Sequence, residues 1–297
     1  MSTQEKFGVQ ISDIEIAGGR VGFILIHGLG GTPVELRYVA QGLGRASFTV
    51  HCPLLYGHGG SEALLNTTTW QDWYDTVDAA ITEMRMHCDT VIVGGLSVGA
   101  VLALRAAAER PDDVQATVLF SPTLWPNGWA IPKSLHLFKL VRHKWFANLI
   151  HMKECAPYGI KDERIRNFVL ESLQSDGRPL EDIFGRKGGT VLEFRWLADL
   201  VKKQLGAISQ PALIFHSRFD DQSDISNTML LQRRLGGMVE TVVLDDSYHM
   251  VTLDRQRALV LEKTERFGNW LAASLAERAA NEAARASIQQ RGTVHKL

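Results

Sequence analysis

A serine stands between two glycines at Gly95-Leu96-Ser97-Val98-Gly99, one residue after the apolar run Val91-Ile92-Val93 and just before Ala100-Val101-Leu102-Ala103. That spacing suits nucleophilic attack from a sharp strand-to-helix turn. The turn lifts the hydroxyl clear of a sheet, and the glycines let neighbouring chains approach where a Cβ would collide. The helix that follows turns its first amides and the positive end of its dipole toward a developing oxyanion. A serine hydroxyl is a weak nucleophile until a base takes its proton. Of ten histidines, His249 in "LDDSYHMVTLD" has the right position, on a loop just past the apolar stretch 240–244. Its imidazole needs a carboxylate to fix its tautomer and stabilise its charged form. Asp220, in "FHSRFDDQSD" beyond the run 212–216, is the candidate. Its neighbours Asp221 and Asp224 suit the cap of a helix opening near residue 225.

Attack on a carbonyl also needs two backbone donors for the oxyanion. The amide of Val98 is one. The loop "HGLGGTP" offers the other at Leu29, whose side chain is expected to line the acyl pocket, with Gly28, Gly30 and Gly31 keeping the loop tight. The loop is no phosphate cradle: it lacks lysine and fits neither nucleotide-binding glycine pattern. His27 and His58 read as braces for their loops, with no cluster of ligands to make a metal site, and this chemistry needs no metal or cofactor.

The elements that must position these groups alternate along the chain. Strands are expected at 23–26, 48–52, 89–94, 115–120, 212–216 and 240–244. Helices are expected at about 33–45, opened by Pro33, at 70–86, where Trp70, Trp73, Val77, Ile81 and Met84 recur at helical spacing, and at 98–109 and 225–235. A last helix is expected from near Arg255 to about 275. Residues 53–69 read as a glycine-rich loop. This alternation predicts an α/β fold with a mostly parallel central sheet flanked by helices. The rhythm breaks between residues 123 and 205, which read as a mainly helical cap insertion with a polar loop from Leu173 to Gly189. The expected units are therefore a core in two parts, 1–122 and 206–276, the cap at 123–205, and an alanine-rich tail at 277–297 that extends the last helix or frays.

The chain order Ser97, Asp220, His249 is that of the α/β-hydrolases, not of the unrelated serine protease folds. Over about residues 20–272 the chain resembles that superfamily, and within it bacterial carboxylesterases and monoacylglycerol-lipase-like serine hydrolases. Five segments carry the resemblance: His27-Gly28-Leu29-Gly30-Gly31; Pro53-Leu54-Leu55-Tyr56-Gly57-His58-Gly59; Gly95 to Gly99; Arg218-Phe219-Asp220; and Ser247-Tyr248-His249-Met250-Val251-Thr252-Leu253-Asp254. Val98, Ala100 and Phe219 depart from the commoner residues at their positions. The resemblance implies a Ser-His-Asp serine hydrolase acting on apolar acyl esters through an acyl-enzyme. Thioesterases and C–C bond hydrolases share that machinery, and a non-catalytic ligand-binding protein shares the fold.

The cap carries Trp125, Trp129, Phe138, Trp145, Phe146, Phe168 and Trp196. With Leu29, Phe219 and Met250, the residues Trp125, Trp129, Phe138 and Trp145 are the candidate walls of an acyl pocket. Lys133, Lys139, Arg142 and Lys144 make one cap segment basic and suited to peripheral lipid contact. The chain of 297 residues is 45% hydrophobic, which supports a sizeable core, and its formal charge of −1 argues against nucleic acid as a partner. Cys52, Cys88 and Cys155 are too few and too far apart for a disulfide framework and read as buried thiols. With no secretory signal or membrane span in view, the expected location is the cytoplasm. The sequence leaves oligomeric state open.

Overall fold

The computed structural model describes residues 12–153, 155–173 and 185–294. A seven-stranded sheet runs through its centre in the order β1-β3-β2-β4-β5-β8-β9. These strands are β1 (Ile14–Ile16), β2 (Val21–Ile26), β3 (Thr49–Cys52), β4 (Thr90–Leu96), β5 (Ala116–Phe120), β8 (Ala212–Ser217) and β9 (Val239–Leu244). The outermost pair, β1 with β3, is antiparallel, and the other neighbours run parallel.

The inner strands β4, β5 and β8 are buried along their whole length and mostly apolar because helices cover both faces. Successive side chains alternate between two cores. Ile24, Ile26, Val91, Val93, Leu119 and Ile214 point to one layer, with Trp73, Val77 and Ile81 of α3 (Trp70–His87) and the apolar face of α4 (Val98–Glu109). Phe23, Leu25, Ile92, Phe120 and Phe215 point to the other, with Val39 and Leu43 of α1 (Arg37–Arg45) and Val260, Phe267 and Leu271 of the final helix. The expected α/β architecture is therefore present.

The parallel register aligns the strand ends. Ile26 lies beside Gly95, Leu96 beside Phe120, and Phe120 beside Phe215. The segments that follow, beginning at His27, Ser97, Ser121 and Arg218, must leave the sheet at one edge. The carboxyl edge of a parallel sheet is where such folds bind ligands.

Several local expectations are corrected. The stretch 53–69 contains α2 (Glu62–Thr67), whose Leu64 amide is capped by the Ser61 hydroxyl at 3.2 Å. The first expected helix opens as a 3-10 turn, Pro33–Leu36, before α1. The insertion has a 3-10 helix at Lys133–Leu140, then α5 (Lys144–Ala147), α6 (Glu163–Leu173), α7 (Gly188–Gln204) and a small antiparallel pair, β6 (His151–Lys153) with β7 (Gly185–Lys187). Of the polar loop expected at Leu173 to Gly189, residues 174–184 lie outside the described residues. Leu173 ends α6, and Gly188-Gly189 open α7. Those glycines serve close packing: a Cβ at either would strike Ala147 or Asn148. Beyond the insertion come α8 (Ser226–Arg234) and α9 (Arg257–Val294), which carries the tail onward as helix.

Helix α7 joins cap to core. Its Val191 and Leu192 pack with Phe138, Val141 and Ala147, while Leu197, Ala198 and Val201 belong to the main core. Cys52 and Cys88 are buried, but Cys155 is exposed in the insertion, against expectation. No helix among the described residues is long and apolar enough to cross a membrane.

Candidate active site

Ser97 sits at the end of β4 with φ 56°, a left-handed conformation rare for a residue with a side chain. Two neighbours hold it there. Its amide donates to the Phe120 carbonyl at 2.9 Å, and the glycines on either side admit adjacent backbone. A Cβ at Gly95 would press on Gly99 and lie 2.8 Å from the Ile26 oxygen; one at Gly99 would strike Ile26 and lie 2.7 Å from the His27 oxygen. The glycine spacing is thus the packing condition for β2, β4 and α4 to meet at one point.

His249 and Asp220 converge on the same edge. The His249 Nδ1 lies 3.0 and 2.9 Å from the two carboxylate oxygens of Asp220. A carboxylate only accepts, so Nδ1 carries the proton and Nε2 is the basic nitrogen. Asp220 Oδ1 also accepts from the amides of Gln222 and Ser223 at 2.8 and 2.7 Å. Burial pushes this carboxyl's pKa up, but the pull of His249 beside it, with His216 and the Ser223 amide, outweighs burial and leaves it below its ordinary value. His216, fully buried 3.6 Å from Asp220, donates from Nε2 to the Ser223 carbonyl and accepts the Thr228 hydroxyl at Nδ1, so it braces the turn as a neutral ring. Burial lowers its pKa.

Asp221 does not cap a helix. Its fully buried carboxylate accepts from the amides of Gly159 at 2.9 Å and His249 at 3.3 Å. The Met250 amide returns a bond to the Gly159 carbonyl at 2.8 Å. Asp221 therefore ties an insertion loop to the loop that carries His249. Asp224 does cap, accepting the Ser226 amide at 2.9 Å. Asp254 extends the tie: its carboxylate accepts from Tyr248, Lys161, Asp162 and Arg255 amides at 2.8 to 3.0 Å. Ser121, also at positive φ, donates to the His249 carbonyl at 2.7 Å.

The glycine loop after β2 is held from two sides. Glu35 accepts the Gly28 amide at 3.0 Å, and Thr252 donates to the Glu35 carbonyl at 2.8 Å. Arg186 of β7 reaches the Gly30 carbonyl at 3.4 Å. His27 is a brace, as expected: Nδ1 donates to the Gly28 carbonyl at 2.9 Å and Nε2 accepts the Leu55 amide at 3.1 Å. Burial lowers its pKa to about 4. His58, its ring edge-on to His27 and to Trp73, bonds the Tyr56 carbonyl at 3.3 Å, and burial lowers it to about 3.

A cavity of about 750 Å³ opens over these groups. Leu29, Ser97, Val98, Phe138, His249 and Met250 all line it. Asp220 stands behind His249, almost fully buried. Trp125, Trp129, Trp145 and Phe219 are not on its wall, and this corrects the expected pocket. Trp125 packs inside the cap beneath Lys139, Trp129 bonds the Phe219 carbonyl from outside, and Trp145 and Phe219 face solvent. The wall is built instead from smaller apolar groups, among them Ile131, Leu135, Val169, Leu170 and Val191.

Sequence reasoning also missed Thr123. Its hydroxyl can donate to the Ser121 carbonyl at 3.2 Å and lies 3.2 Å from the Ser97 hydroxyl, a contact in which either oxygen can be the donor. The signal was available: β5 ends beside β4, so residues just past Phe120 must lie next to Ser97. Among the described residues, one group, Asp13, Glu15 and His51, could bring three ligand atoms within 4.8 Å of one another. It lies at β1 and the neighbouring β3 and contributes nothing to the cavity wall.

Comparison with known proteins agrees with this fold. Residues 20–256 match the Hydrolase_4 family model, described as serine aminopeptidase, S33. The chain is 25% identical over 257 residues to a thermostable monoacylglycerol lipase of Bacillus sp. (strain H-257), covering 84% of this chain and 90% of that one. It is 21% identical to a carboxylesterase of Bacillus subtilis (strain 168), covering 84% and 93%. A structure from work on the metagenome-derived lipolytic enzymes LipS and LipT superposes with a TM-score of 0.72 at 24% identity, covering 88% of this chain and 98% of that one.

Proposed function

This chain belongs to the Hydrolase_4 (serine aminopeptidase, S33) family of α/β-hydrolases, and from that premise we propose that it is a carboxylic-ester hydrolase acting on apolar acyl esters, short or medium-chain esters or monoacylglycerols, through Ser97, His249 and Asp220. The observation that carries the reading is the His249 Nδ1 held by the Asp220 carboxylate at the wall of an apolar cavity that Ser97 also lines.

In this mechanism His249 Nε2 takes the proton of Ser97, whose oxygen attacks the ester carbonyl. The amides of Val98 and Leu29 hold the oxyanion, and the start of α4 adds its dipole. The imidazolium forms against Asp220 and returns its proton to the departing alcohol. Water then attacks the acyl-enzyme with His249 again as base. The acyl chain lies along the aliphatic wall, where each buried methylene contributes about 0.8 kcal/mol.

An ester is favoured over a peptide with a free amino terminus. Asp221 is fully buried with both oxygens accepting backbone amides, Glu35 accepts the Gly28 amide, and the wall around them is mainly apolar, which suits an acyl chain. The names of the two Bacillus relatives support the same substrate class. Replacing Ser97 with Ala is expected to lower turnover of p-nitrophenyl butyrate by about 10⁴-fold or more, and to abolish fluorophosphonate labelling, with the thermal midpoint little changed. A variant as active as the parent refutes the assignment.

A further inference from the structure

We propose that the outer surface of the cap, residues 133–149, docks on an anionic lipid bilayer. This inference goes beyond the hydrolase reading and does not depend on it. It starts from the 3-10 helix Lys133–Leu140, in which side chains three apart eclipse one another. The sequence therefore sorts onto three ridges. Leu135 and Phe138, continued by Val141, point inward to the cap core. Leu137 and Leu140 form a second ridge that faces solvent. Lys133, His136 and Lys139, continued by Arg142, form a third, also exposed. An apolar ridge and a basic ridge thus lie side by side on a helix already anchored by its third.

The exposed apolar ridge continues into α5. Leu137, Leu140, Trp145 and Leu149 keep 70–78% of their surface in water, and Phe146 beside Trp145 is half exposed. Single exposed apolar residues need no explanation, but this many in one short segment mark an interaction surface. The segment is firmly held: Arg195 donates to the carbonyls of Phe138 and Val141, and Lys144 pairs with the buried Glu193 at 3.0 Å. Leu137 and Phe146 also line the cavity, so the patch is continuous with the cavity's wall.

Charge selects the occupant. From Val114 to Lys153 the chain has no acidic residue, although the whole protein is nearly neutral. With Lys144 engaged inward, Lys133, Lys139 and Arg142 remain exposed beside the leucines and tryptophan. Two copies of such a surface repel each other, which disfavours a symmetric dimer through it. An anionic bilayer offers headgroup charge to the basic ridge and an acyl boundary to the apolar one, with a tryptophan at the level where indoles partition.

The test is co-sedimentation of the intact chain with vesicles of phosphatidylglycerol and phosphatidylcholine (3:7) and of phosphatidylcholine alone. The parent is expected to bind the anionic vesicles more strongly, with binding falling as salt rises. Lys139→Gln is expected to weaken anionic binding by about fivefold and leave the weaker neutral binding unchanged. Leu140→Ser with Leu149→Ser is expected to weaken both by at least about tenfold. Turnover of a soluble short-chain ester by these variants reports the site separately and is expected to match the parent. Absence of vesicle binding at low salt overturns the proposal. So does sedimentation velocity showing a dimer that the double leucine variant dissociates, since the patch is then an interface between copies.

Discussion

Acidification from pH 7 to pH 5 is expected to cost this fold about 4 kcal/mol through two histidines that perform no proton transfer. Burial holds the pKa of His27 near 4 and that of His58 near 3, against 6.5 for an ordinary histidine. At pH 5 both rings are neutral in the folded protein and protonated in the unfolded chain. The unfolded state then binds more protons, so stability falls as pH falls, from about pH 6.5 down toward the folded values. Each ring contributes about 1.4 kcal/mol per pH unit below 6.5, or about 2 kcal/mol at pH 5. The two add because neither is charged in the native state there, and the result hardly depends on how far below 5 the folded values lie. Asp221, whose pKa burial raises, acts in the opposite sense as pH falls. The comparison is therefore a difference of differences. Urea unfolding of the parent and of His58→Gln at pH 7 and pH 5 is expected to show about 2 kcal/mol less acid loss in the variant. Equal losses in the two proteins refute the reasoning.

Three further substitutions test separate joints of the site. Asp220→Asn is expected to lower kcat for a p-nitrophenyl ester by about 10⁴-fold, because an amide stabilises the wrong imidazole tautomer; a loss below tenfold refutes Asp220 as the carboxylate that orients His249. Asp254→Ala removes the shared acceptor of four backbone amides and is expected to cost at least about 3 kcal/mol of stability in urea titration. Loss below 1 kcal/mol, on the order of one ordinary hydrogen bond, excludes it as the tie between cap and core. Gly99→Ala drives a methyl into the carbonyls of Ile26 and His27 and is expected to cost about 1–3 kcal/mol or more and lower the thermal midpoint. A variant of unchanged midpoint means that β2 can retreat from the elbow.

The parts of this molecule legible in the sequence are those set by local backbone chemistry. Gly95 and Gly99 mark a turn where three chains crowd together, and apolar runs such as Phe23 to Ile26 mark strands buried on both faces. Those signals need only a few consecutive residues, which is why the core strands and the Ser97 turn could be placed. The pocket wall was not legible, because burial in a cap depends on which face of a short helix meets another element. Trp145 and Phe146 are adjacent in sequence, yet only Phe146 reaches the cavity, and nothing in their chemistry distinguishes them. Asp221 failed for a related reason: an aspartate before a helix suits a cap, and only the folded chain brings Gly159 within reach of its carboxylate. Thr123 is different, since strand register alone could have placed it beside Ser97. The acid-base geometry is thus written in residues that the sheet edge gathers, whereas substrate shape is written in contacts between segments far apart in the chain. The first can be carried by motif from one relative to another; the second has to be read from each cap.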